Sequence, residues 1–176
     1  MKQIARVFTF GLLMVFTFTQ CGKSEESKTD QTSEQVQEAK DLTPNEISIA
    51  IVDIYIEAMT KVTELVKGNP AAAEVNPKIQ ELKDKYVAKL VELGKVKEKL
   101  SPADKSMIDN KIWLGIGRLS PDVMKEFSAA VTYYIGKDEG NKTHFLISSF
   151  NIITQYADFE LLKKQLPEEA KRLGIN

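Results

Sequence analysis

Five of the six prolines in this chain directly follow a residue able to cap a helix, and four of these pairs precede an apolar-periodic run: Thr43-Pro44, Asn76-Pro77, Ser101-Pro102 and Ser120-Pro121. Thr, Asn and Ser side chains accept hydrogen bonds from the orphan N–H groups of a first helical turn. Proline fits the next position because its missing N–H would be unpaired there. Glu46 stands three residues after Thr43 and Asp104 three after Ser101, which gives both starts the form of a capping box. These four signals predict four helix starts and exclude any fold built mainly from strands.

An apolar stripe follows each start. Ile47, Ile51, Ile54, Ala58, Val62 and Leu65 recur at spacings of three and four, and Gly68-Asn69-Pro70 closes that helix. Ile79, Leu82, Tyr86, Leu90, Leu93 and Val96 repeat the pattern after Pro77, with Gly94 expected to weaken or kink the helix near its end. A third helix is predicted from Pro102 to about Ile116 and a fourth from Pro121 to about Ile135, with residues 136–140 as a loop. The fifth segment, Thr143 to Leu166, keeps a helical period through Leu146, Phe150, Ile153, Ala157 and Leu161, while Phe145, Ile152, Tyr156 and Phe159 widen its apolar arc. A helix apolar over most of its circumference belongs at the centre of a bundle. A short closing helix is expected after Pro167. The fold class is therefore all-α, a bundle of about five helices with short connections spanning residues 42–176.

The first 41 residues have a different composition. Lys2 and Arg6 precede 13 largely apolar residues, Val7 to Thr19, and no acid appears before Glu25. That length suits the core of a secretion signal and falls short of the roughly 20 apolar residues of a spanning helix. Phe18-Thr19-Gln20-Cys21 closes the run with the chain's single cysteine. The arrangement resembles the signal of bacterial lipoproteins, with Phe18 where Leu is usual and Gln20 where a small residue is usual, as in the looser signals of spirochaetal lipoproteins. The resemblance covers the first 22 residues only. It implies that residues 1–20 are removed, that Cys21 is acylated, and that the bilayer is a partner through that lipid. Gly22, in place of an Asp, further implies the outer membrane, in the cell envelope. Two or more acyl chains hold a protein stably where one is marginal. With its one cysteine acylated, the chain keeps no thiol for disulfides or catalysis.

Residues 22–41 contain one large aliphatic side chain, Val36, and no aromatic. So polar a segment cannot offset its ordering entropy, and a disordered tether is expected over residues 21–41. As a coil, its length corresponds to a reach of roughly 25 Å. Without Lys2 and Arg6 the mature chain has 22 basic and 25 acidic side chains, a net charge of −3. Nothing in that balance points to nucleic acid as a partner.

The folded part offers little recognisable chemistry. His144 is the only histidine and has no partner at metal-ligand spacing, so a surface or capping role is expected and no metal or cofactor is called for. Asp53, Glu57 and Glu64 on the first helix, and Glu81, Asp84 and Glu92 on the second, alternate with Lys61, Lys83, Lys85 and Lys89 as on a solvated face. Gly115-Ile116-Gly117-Arg118 lacks the strand and the Lys-Ser/Thr of a phosphate loop and reads as a helix end. Aromatic residues gather in the C-terminal half: Trp113, Phe127, Tyr133, Tyr134, Phe145, Phe150 and Tyr156. They are core, or they include a ligand or partner surface, for which Trp113, Tyr133, Tyr134 and Phe150 are the candidates. The expectation is a non-catalytic binding or structural module presented to an envelope or extracellular protein. The alternatives are a carrier or sensor of a small apolar ligand held in the helical core and, behind it, an envelope enzyme using carboxylates.

Overall fold

The computed structural model describes residues 42–175. The signal, Cys21 and the tether lie outside the described residues. The described chain is all-α and contains no strand. Helix α1 spans Pro44–Val66, α2 Ala72–Lys97, α3 Pro102–Ile116 and α4 Pro121–Tyr133. A short 3-10 turn, Glu139–Asn141, leads into α5, Lys142–Ser148. A second 3-10 stretch, Ser149–Ala157, precedes α6, Phe159–Gln165, and α7, Pro167–Arg172.

Three of the four cap-proline starts hold. At α1 the box is complete: the Glu46 N–H donates to Thr43 Oγ1 at 3.3 Å and the Thr43 N–H to Glu46 Oε2 at 2.8 Å. Ser101 accepts from the Asp104 N–H at 3.2 Å and Ser120 from the Asp122 N–H at 3.3 Å. The Asn76-Pro77 start is corrected. Helix α2 begins five residues earlier, at Ala72, and Pro77 lies inside it. The segment before it, Ala71-Ala72-Ala73-Glu74, consists of strong helix formers, and Val75, 1% exposed, joins Ile79 in the core stripe. That burial offsets the hydrogen bond that proline removes. Asn76 caps nothing; its Nδ2 donates to Asp138 Oδ2, 62 residues away, at 3.1 Å.

The expected long helix over Thr143–Leu166 is also corrected: it is broken twice. Ile152 departs from helical geometry at φ −114°, ψ 16°, and Asp158 does so at φ −123°, ψ 95°. Serine hydroxyls bond back to the turn before them, Ser148 Oγ to the His144 carbonyl at 2.8 Å and Ser149 Oγ to that of Leu146 at 2.7 Å. The β-branched run Ile152-Ile153-Thr154 lowers propensity further. Asp158 then restarts the helix by accepting from the Leu161 N–H at 3.0 Å. The segment is still buried through Phe150, Ile153, Tyr156 and Ala157 and packs against α1 and α2. It shares the centre with α1, which also touches α2, α3 and α4.

Gly94 and Gly115 are both close-approach positions. Helix α2 runs through Gly94 to Lys97, and a Cβ at 94 would stand 2.5 Å from Phe159 Cε1 and 3.2 Å from Ala157 Cα. A Cβ at Gly115 would stand 2.5 Å from Val52 Cγ2, where α3 crosses α1. Gly94→Ala gains about 1 kcal/mol of helix propensity, but overpacking a filled site costs about 1–3 kcal/mol. Its urea midpoint is therefore expected to fall below that of the wild type; a higher midpoint would show that the ring of Phe159 yields freely.

Candidate functional site

Helix α3 is built unlike its neighbours. Its inward side carries Ile108, fully buried, with Ile112 and Ile116 partly buried against the core. Its opposite side is also largely apolar. At 100° per residue, Ala103, Ser106, Met107, Asn110, Trp113 and Leu114 fall within one arc of about 120°. All six are exposed and none is charged, in a chain whose residues are 28% charged. Trp113 is 74% exposed and Leu114 70%, more than any other large apolar side chain described. Lys111, three residues before Leu114, donates its ammonium to Asn45 Oδ1 in the first turn of α1. Arg118, four residues after Leu114, faces Asp53 at 3.6 Å.

The four aromatic candidates do not form one surface. Trp113 stands on the outer face of α3, while Tyr134 and Phe150 are fully buried and correct the expectation of a partner surface at those two positions. Tyr134 donates its hydroxyl to the Pro70 carbonyl at 2.7 Å, and burial raises its pKa. Tyr133, 39% exposed, meets Tyr134 edge-on with centroids 5.1 Å apart and lies under the Lys137 ammonium at 4.7 Å. Periodicity predicts core membership but cannot say which side of α3 its neighbours leave bare. The missed residues are Met107 and Leu114; the signal for them is the arc without charge on the helical wheel.

The carboxylates that might have formed an active site do not gather in one place, although Glu64 and Glu81 share a groove. Glu64 pairs with Lys61 at 2.7 Å and Glu92 with Lys95 at 2.6 Å, both exposed and one turn apart on the same helix. Lys85 and Lys89 lie over the ring of Tyr86, each at 5.7 Å. His144 Nδ1 lies 2.9 Å from the Val131 carbonyl, so this nitrogen carries the proton and ties α5 to α4. Among the described residues no three His, Cys, Asp or Glu side chains gather as metal ligands. A groove of about 510 Å³ is lined by Lys61, Glu64, Leu65, Lys78, Glu81, Leu82 and Lys85, with no aromatic side chain.

Two perturbed carboxylates hold the fold together. Glu169 receives Arg172 at 2.7 and 2.8 Å and the Tyr156 hydroxyl at 3.2 Å, and the guanidinium holds its pKa below the ordinary value. Asp138 Oδ2 receives the Thr143 hydroxyl at 2.7 Å, the Thr143 N–H at 3.0 Å and Asn76 at 3.1 Å. Those bonds, Thr143's first, hold the Asp138 carboxyl below its ordinary value of 3.8. The fold therefore favours its charged form. The stability it supplies is complete above the unfolded pKa and disappears as pH falls through the lower folded value. Asp138→Asn is expected to unfold at lower urea than the wild type at neutral pH, with the gap closing below about pH 4. A gap independent of pH would contradict this.

Comparison with protein-family models, with curated proteins and with solved structures finds no match. No helix among the described residues is long and apolar enough to cross a membrane.

Proposed function

We propose that this chain is a lipid-anchored lipoprotein of the bacterial envelope, at the outer membrane, whose helical domain is a non-catalytic binding or structural module. One observation carries the domain's role: the aromatic mass is divided. Tyr134, Phe150 and Tyr156 fill the core, whereas Trp113 and Leu114 face outward from an uncharged helix side. A carrier of an apolar ligand would hold aromatic side chains around a cavity, and the groove described above is lined by three lysines, two glutamates and two leucines instead. The anchor rests on the basic start, the 13-residue apolar run and the lone Cys21 at its end.

Radiolabelled palmitate fed to cells expressing the full chain is expected to label the wild-type protein and not Cys21→Ser. Unchanged incorporation in the serine variant would overturn the anchor.

A further inference from the structure

Among the described residues the outer face of α3 has no partner, and its position relates it to the point where the chain enters the fold. Asn45 lies three residues after Leu42, where the described chain begins, and accepts from Lys111 at the middle of α3. Farther along, Val52 lies against Gly115 and Asp53 faces Arg118. The two helices therefore run side by side in the same direction, and the exposed face of α3 sits at the end of the domain where the chain arrives from Cys21. Only 20 residues separate Cys21 from Leu42, which can span no more than about 70 Å. A domain tethered to a lipid surface by so short a chain meets it at high effective concentration, so a small apolar face suffices for contact.

We propose that the α3 face bearing Met107, Trp113 and Leu114 rests on the phospholipid bilayer that carries the anchor. The chemistry suits an interface. Trp has an apolar ring and a polar N–H, which favours the boundary between headgroups and acyl chains. Leu114 and Met107 add apolar area without a polar atom to desolvate, and no charge on this arc opposes their entry. Lys111 and Arg118 at its flank place cations at headgroup level, and Asn110 and Ser106 keep hydrogen-bonding groups there. The contact would hold the domain against the membrane, with α3 down, instead of leaving it free on its tether. This inference rests on the anchor reading.

The test separates the two. The chain from Cys21 to Asn176 retains the whole core described above, and its circular dichroism and urea midpoint are compared with those of the full chain first. Cys21 is the only cysteine and Trp113 the only tryptophan. Coupling Cys21 to a maleimide phospholipid in phosphatidylcholine–phosphatidylglycerol vesicles anchors the domain whether or not cells acylate it, and the emission of Trp113 reports on this face alone. The expected result is a blue shift on anchoring, quenching by brominated acyl chains, and loss of most of both in Met107→Gln/Leu114→Gln. Water-like emission that iodide quenches as readily as in free solution would overturn the proposal. A blue shift that grows with protein density, without quenching by brominated lipid, would also overturn it and assign the face to a second copy of the chain. A failure here leaves palmitate labelling of Cys21 untouched, and absent labelling leaves this result untouched.

Discussion

Phe150→Ala is expected to lower the stability of the domain by about 3–5 kcal/mol, while Trp113→Ala changes it by less than about 0.5 kcal/mol. The two residues read alike in the sequence, as large aromatics in the same half of the chain. Phe150 is fully enclosed in the 3-10 stretch that packs on α1 and α2, and truncation leaves a cavity that fixed neighbours cannot fill. Trp113 is 74% exposed, so its loss removes little packing. Urea unfolding followed by circular dichroism measures both, because it does not depend on the tryptophan. A large loss for Trp113→Ala, or a small one for Phe150→Ala, would mean that the division between core and surface aromatics is wrong.

The second large effect concerns Lys97. Its side chain is 3% exposed, and its ammonium lies 2.5 Å from Asp109 Oδ1 on α3 and 3.4 Å from Asp158 Oδ2 at the break before α6. A buried ammonium is tolerated only when paired, and removing its partners leaves the full desolvation penalty. Asp109→Asn/Asp158→Asn keeps shape and some hydrogen bonding but removes both opposing charges. The expected loss is about 3 kcal/mol, the lower end for a broken buried pair, because solvent reaches both carboxylates. Lys97→Met keeps the apolar stem and leaves two carboxylates that water can solvate, so it should cost less than the double variant. The reverse order would show that the lysine is needed for its charge more than it is burdened by it.

The sequence supports the fold class well and its breaks poorly. Thr43, Ser101 and Ser120 mark true helix starts because a cap is local chemistry, decided within four residues. Asn76-Pro77 carries the same signal and misleads, because the burial of Val75 and a hydrogen bond to Asp138, far along the chain, outweigh it. The break at Asp158 joins a tertiary contact, the Lys97 ammonium 61 residues away, to the local cap of α6. Gly94 reads as a weak point in a helix; only the crossing of Phe159 and Ala157 over α2 gives it a purpose. For the candidate site, Trp113 is legible as an aromatic of interest. Its separation from Tyr134 and Phe150, and its neighbours Met107 and Leu114, depend on which side of α3 the other helices cover.

The proposed lipid anchor depends on Cys21, and mass spectrometry of the N-terminal peptide reads its state. Full-length chain expressed in a bacterium and recovered from its membranes should yield a peptide that begins at Cys21, carries acyl chains, and contains nothing of residues 1–20. A peptide in which Thr19-Gln20 remains joined to an unmodified Cys21 would contradict it.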